Sequence, residues 1–144
     1  MVISTTPTPY RFGEKLNRFH LQKEICLSVL HSCNVLLGDS FFSRFAWKHN
    51  NLFETYFAEW INLGIGGDRV EHLLWRVLNS GILQHVDKLI LSIGSNNINL
   101  MSPRLILSFI VKIAYLLREK VGHIIICEQF PRENAYTSTQ INAL

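Results

Sequence analysis

The chain has 144 residues, 48% of them apolar and 17% charged, with a net charge of +3 and a pI of about 8.9. That length suits a single domain with one core, and the composition excludes intrinsic disorder. Lys15, Arg18 and Lys23 are interrupted by Glu14 and Glu24, which excludes the basic run expected of a nucleic-acid binder.

Residues 1–12 read as a flexible N-terminal arm, Thr/Pro-rich and without the apolar stretch of a signal peptide. A helix is expected from Glu14 to about Ser32, with Leu16, Phe19, Ile25, Val29 and Leu30 as a partial apolar stripe. Val35 to Leu37 reads as a short buried strand. Ser40 to about Phe57 is helical in character, crowded with aromatics and interrupted near Asn50-Asn51. Ile61 to Leu63 is a second strand.

The next helix has the clearest signal. Asp68 stands where an N-cap belongs, and Glu71 follows three residues on, as in a capping box. Val70, Leu73, Leu74, Val77 and Leu78 then share one helical face, and Asn79-Ser80-Gly81 ends the helix. Lys88 to Ile93 is a third strand, apolar enough to be buried on both faces. Pro103 opens a helix whose stripe is Ile106, Phe109, Ile110, Ile113, Leu116 and Leu117. His123 to Phe130 is a fourth strand, ended by Pro131.

Strands alternating with helices predict an α/β fold: a three-layer α/β/α sandwich around a parallel sheet covered on both faces. Thr137-Ser138-Thr139 looks like a helix start, yet the sequence ends at Leu144 after about one turn, too short for a stable helix. The domain, residues 13–144, therefore reads as cut short at its C-terminal end: a fragment, a short isoform or an incomplete gene model. Leu105 to Leu117 is apolar but too short to span a bilayer, and it contains Lys112. No membrane span is expected.

Cys26, Cys33 and Cys127 are odd in number and lack metal-ligand spacing. They point to a reducing, cytoplasmic setting, and Cys127 reads as a small buried hydrophobe. Neither a metal nor another cofactor is expected.

Three loops carry the chemistry. Gly38-Asp39-Ser40, Gly64-Ile65-Gly66-Gly67-Asp68 and Gly94-Ser95-Asn96-Asn97 each close a strand, and open parallel sheets build their sites outside the carboxyl ends of strands. Ser40 would hold its hydroxyl at a helix N-terminus, where partial positive charge favours a developing anion. The Gly66-Gly67 pair lets backbone approach a substrate closely. Asn96 offers a side-chain NH₂ to the same charge. Such donors are each worth about 3–4 kcal/mol in acyl transfer. Singly, each loop is an ordinary turn or cap; together, in this order, they point to a hydrolase.

The blocks Leu36-Leu37-Gly38-Asp39-Ser40, Asn62-Leu63-Gly64-Ile65-Gly66-Gly67-Asp68, His72-Leu73-Leu74-Trp75-Arg76 and Gly94-Ser95-Asn96-Asn97 carry a family resemblance. From about Arg18 to Arg132 the chain resembles the SGNH (GDSL-type) hydrolases, and most closely the catalytic subunits of intracellular platelet-activating factor acetylhydrolase. The resemblance implies a flavodoxin-like sheet, Ser40 as nucleophile, and an oxyanion hole built from the Ser40 amide, the Gly67 amide and the Asn96 side chain. Asp39, Gly66, Asp68 and Asn97 are expected to support these groups. The third block ends in Asn97 where the family commonly has Asp, a variant shared with the acetylhydrolase subunits. A small-molecule ester substrate, a homodimer and a β-propeller regulatory partner are further implications.

The family also places an Asp and a His three residues apart near its C-terminus, and no Asp-x-x-His occurs in this sequence. His72 matches a family position other than the catalytic histidine. His49 and His85 fall near loops, and His20, His31 and His123 before strands or in the first helix. Without its base a serine stays protonated and is a poor nucleophile, so these residues alone should be nearly inactive. Apolar surface left uncovered at a sheet edge would favour association. Two readings follow: a serine esterase domain, or a non-catalytic interaction module retaining the fold. A nucleotide-binding domain ranks below both, because neither Gly-x-Gly-x-x-Gly after the first strand nor a Gly-Lys-Ser/Thr phosphate loop is present.

Overall fold

A computed structural model describes residues 4–10, 13–29, 31–81 and 85–128. Four parallel strands form one sheet in the order β2-β1-β3-β4: β1 (Cys33–Gly38), β2 (Trp60–Gly64), β3 (Val86–Ser92) and β4 (Val121–Ile126). This is the flavodoxin-like order. The chain leaves β1 toward one edge and β3 toward the other, so a crevice opens beyond the carboxyl ends of β1 and β3. Strand β4 ends at Ile126, short of the Phe130 expected, and the helix start expected at Thr137 lies outside the described residues.

Side-chain alternation divides the sheet into two faces. Val35, Leu37, Leu63, Leu89 and Leu91 point to one face and pack against Val70, Leu73 and Leu74 of α4 (Val70–Asn79) and Ile106, Phe109, Ile110 and Ile113 of α5 (Pro103–Leu117). Helix α1 (Glu14–Ser28) borders this layer through Cys26. Against the other face lies α2 (Ser40–Lys48), packed on β1 and β2. Its Phe42 carbonyl accepts a 2.8 Å hydrogen bond from Asn62 on β2. The expected three layers are therefore present, but the α2 face is covered unevenly. It closes over Leu36, which is fully buried, and leaves Ile125 on β4 51% exposed. For the same reason β3 is not buried on both faces, since Lys88 is exposed and Ile90 only half-buried.

The helix stripes need smaller corrections. On α1 the buried positions are Phe19 and Gln22, while Ile25 is exposed. On α4, Arg76 takes the buried place and Leu78 is exposed. The expected interruption after Ser40 falls at His49, which ends α2 and begins α3 (Asn50–Phe57) with non-helical φ/ψ of −126° and 44°. Helix α5 starts as the sequence reads, with Ser102 capping the Leu105 amide and Pro103 in the first turn. Cys127 follows β4 directly and is half-buried, and burial raises its thiol pKa.

Strand β1 is tightly enclosed at its carboxyl end. A Cβ built on Gly38 would lie 1.9 Å from the Ser92 carbonyl oxygen, which is backbone of the neighbouring strand. We predict that Gly38→Ala destabilises the fold by about 3 kcal/mol, at the upper end of overpacking costs. Chemical denaturation measures this, and an unchanged midpoint would show that the strand can yield.

Candidate active site

Three adjacent parallel strands, β2, β1 and β3, deliver their following loops to one rim. Asp39, directly after β1, is 2% exposed and caps α2 by accepting from the Phe41 amide at 3.0 Å. The cap places Ser40 as the first residue of the helix, half-buried, its own N–H among the amides that a helix start leaves without an intrahelical partner. Ser95, in the short 3₁₀ turn Ser95–Asn97 after β3, donates to the second Asp39 oxygen at 3.0 Å. The first and third loops are thus joined through one carboxylate.

The second loop is a tight turn. The Asp68 amide closes on the Ile65 carbonyl at 3.2 Å, with Gly67 at φ +70° in the third position. Positive φ at that position is the mark of a type II turn and favours glycine. Because the closing bond uses the Asp68 amide, the Gly67 N–H is not consumed by the turn. Gly66 and Gly67 are both exposed at the rim. Asn96 donates one N–H of its side-chain amide to the Asp68 carbonyl at 2.8 Å, tying the third loop to the second. That amide has a second N–H.

Asp68 does different work from the helix cap expected of it. Asp68 does not cap α4: Arg69 holds the N-cap position and makes no side-chain capping bond. The Asp68 carboxylate is instead fully buried, accepting from Arg76 at 2.8 Å and from the Tyr10 hydroxyl. A carboxylate removed from water is far better compensated by a guanidinium than by a helix-end amide. The α4 amide goes to Asn97, whose Oδ1 accepts from Val70 N at 3.0 Å and whose Nδ2 donates to Glu71 at 2.8 Å. Glu71 pairs with Arg69 at 2.9 Å rather than closing a capping box.

Arg76 is the residue that the stripe argument overlooks. Fully buried, it donates through Nη1 to Gln22 (2.8 Å) and the Leu63 carbonyl (2.9 Å), and through Nη2 to the Gly38 carbonyl (3.0 Å) and Asp68. Its position was legible in principle, since residue 76 lies three after Leu73 on the buried face of α4. Tyr10 was equally hidden. It falls in the stretch read as a loose arm, yet it is buried, its ring tilted or edge-on to those of Phe19, His72 and Trp75. Thr8 also donates its amide to the Glu71 carbonyl. Burial, with the Asp68 carboxylate adding to it, pushes the Tyr10 phenol far above its ordinary range.

Of the histidines, His72 is buried beside this cluster, with Nε2 3.3 Å from Arg69 and Nδ1 3.7 Å from Asp68. His20, His31, His49, His85 and His123 are exposed. Among the described residues no imidazole is hydrogen-bonded to Ser40, and no group of three His, Cys, Asp or Glu could hold a metal. Nor is any helix among them long and apolar enough to cross a membrane.

No family model matches the chain, and neither does any curated protein. Solved structures do. A GDSL-like lipase from Bacteroides thetaiotaomicron superposes with a TM-score of 0.65 at 15% identity, over 88% of this chain and 64% of that one. The fold is of the SGNH hydrolase type. A platelet activating factor protein from Streptococcus pneumonia gives 0.64 at 22% identity, over 85% of this chain and 58% of that one. A catalytic mutant of an acetylxylan esterase from Geobacillus stearothermophilus gives 0.61 at 15% identity, over 79% and 68%. The chain thus spans less than two thirds of the length of the first two.

Two predictions follow from this cluster. Arg76→Met leaves the Asp68 carboxylate buried without its main partner, so stability should fall by about 3–5 kcal/mol. A loss under 1 kcal/mol in urea denaturation would show that the pair is dispensable. Burial lowers the His72 pKa below its ordinary 6.5, against the opposing pull of Asp68. The unfolded chain therefore binds a proton more readily there, and stability should rise with pH from the lowered folded value up to about 6.5. His72→Gln should flatten that part of the pH profile, and an unchanged slope would remove His72 as its source.

Proposed function

We propose that this fold carries a serine esterase site for acyl or acetyl esters, with Ser40 as nucleophile. Ser40 Oγ attacks the ester carbonyl carbon, and the carbonyl electron pair moves onto oxygen. That oxyanion is met by the Ser40 and Gly67 amides and by the second N–H of Asn96. Collapse of the intermediate expels the alcohol and leaves an acyl-Ser40, which water hydrolyses. The Ser40 proton passes to a base, which delivers it to the departing alkoxide, and the resemblance to SGNH hydrolases implies an Asp-x-x-His pair for that role. Support for the reading comes above all from the Asn96-to-Asp68 carbonyl bond, which links the loops after β2 and β3 on either side of Ser40.

The same resemblance supports a homodimer with a β-propeller regulatory partner, and the free thiols of Cys26, Cys33 and Cys127 support a cytoplasmic setting. A non-catalytic interaction module is the second reading, favoured because no described imidazole is bonded to Ser40.

Fluorophosphonate labelling separates the two, applied to the chain joined to a segment bearing the Asp-x-x-His pair. A single label on Ser40 is expected, absent in Ser40→Ala and slowed about 10²–10³-fold in Asn96→Ala. No label on Ser40 would reject the esterase reading in favour of the module.

A further inference from the structure

Beside the glycine turn lies a cleft of about 350 Å³ that the proposed reaction does not use. It is lined by Glu14, Lys15 and Arg18 of α1, Ser43 of α2, and Ile65 and Gly66. Ile65 is its one apolar side chain and is fully buried, so a hydrocarbon arm would gain little there. The charges of the wall do not cancel. Arg18 takes the Glu14 carboxylate through Nε at 3.1 Å, whereas half-buried Lys15 forms no ion pair among the described residues. Lys15 Nζ donates one of its three N–H groups to the Gly67 carbonyl at 2.6 Å. Ser43 Oγ stands against the turn, 3.7 Å from where a Gly66 Cβ would lie, and bonds to no described residue. An ammonium with two unused donors and an unused hydroxyl thus line one polar cleft, with one positive charge in excess. That chemistry suits a singly charged anion with two acceptor oxygens.

The cleft is also within reach of the reacting carbonyl. Between Lys15 Nζ and an oxyanion held by the Gly67 N–H lie one hydrogen bond, the Gly67 backbone and a second hydrogen bond. The separation is therefore at most about 9 Å, however the peptides of the turn are rotated. A carboxylate two methylenes away from an ester carbonyl extends about 6 Å from the carbonyl oxygen. One charge-assisted hydrogen bond of about 2.8 Å spans what remains.

We propose that this cleft is a subsite for a carboxylate carried by the ester, bound by Lys15 and Ser43, and that the site selects such anionic esters over neutral ones. The inference rests on the esterase reading of Ser40. A charge held away from the reacting bond supplies binding energy that orients the carbonyl between its donors.

Monomethyl succinate, with dimethyl succinate as its neutral counterpart, tests the subsite in the chain itself through the amide NMR shifts of Gly66 and Gly67. The anionic ester should half-saturate those shifts at about 10-fold lower concentration than the neutral one. Lys15→Met, which keeps the stem and removes the charge, should abolish that preference, while Lys15→Arg retains it and Ser43→Ala weakens it about 3-fold. Unchanged Leu73 and Leu74 amide shifts check that α4 stays folded in each variant. Acetoxyacetate carries the carboxylate on the alcohol arm instead, so the tighter binder of the two anions identifies the arm that enters the cleft. Equal binding of anionic and neutral esters, or a preference that survives Lys15→Met, overturns the inference. In the chain joined to the Asp-x-x-His segment, the bound anion should also protect Ser40 from the fluorophosphonate with the same half-saturation. Binding without protection of a Ser40 that labels separates the cleft from the substrate and overturns the selection. Anion binding in a chain whose Ser40 never labels rejects the esterase reading, and with it substrate selection, while leaving the anion contact intact.

Discussion

The Arg76 guanidinium is the constraint on which the rest of the site depends. Its Nη atoms reach the carboxyl-terminal carbonyls of β1 and β2, the side chain of Gln22 on α1, and the Asp68 carboxylate. Burying a guanidinium and a carboxylate costs several kcal/mol per ion before their attraction is counted. Such a pair is therefore a poor source of stability compared with an apolar core of the same volume. What it supplies is geometry. The planar fork of donors fixes where Gly38 ends β1, where Leu63 stands one residue before the end of β2, and where Asp68 leaves the glycine turn. Ser40 follows the first of these points by two residues, and Gly67 precedes the last by one.

From that hub the rim is assembled by reciprocal capping. Asp39 satisfies an α2 amide and is held by Ser95, while Asn97 satisfies an α4 amide and is held against Glu71. Each helix start is thus finished partly by a residue from the loop after β3. Moving any one loop would open a cap on another. Preorganised donors are effective because they need not reorient as charge develops, and in the proposed esterase site this mutual capping would be the physical form of that preorganisation.

Much of this was readable from sequence, for identifiable reasons. Strand and helix alternation, the strand ends at Gly38 and Gly64, the turn after Gly94, and the stripe of α5 all arise from local periodicity and turn chemistry, which a single sequence displays directly. Asp68 was misread because an acidic residue before a helix looks the same whether its carboxylate caps the helix or turns inward to an arginine 8 positions on. Arg76 and Tyr10 were missed because their burial depends on partners far apart in the chain: Gln22 is 54 positions from Arg76, and Tyr10 is 58 from Asp68. Leu78 failed in the opposite sense. Helical spacing placed it on the apolar face, but half of it remains exposed because the packed layer ends before it.

The most direct test of the account is a crystal structure of the fluorophosphonate adduct. Phosphorus is expected bonded to Ser40 Oγ, with the phosphoryl oxygen about 2.7–3.1 Å from the Ser40 amide, the Gly67 amide and Asn96 Nδ2. A phosphoryl oxygen turned away from Gly67 and Asn96, or an adduct on a residue other than Ser40, would contradict it.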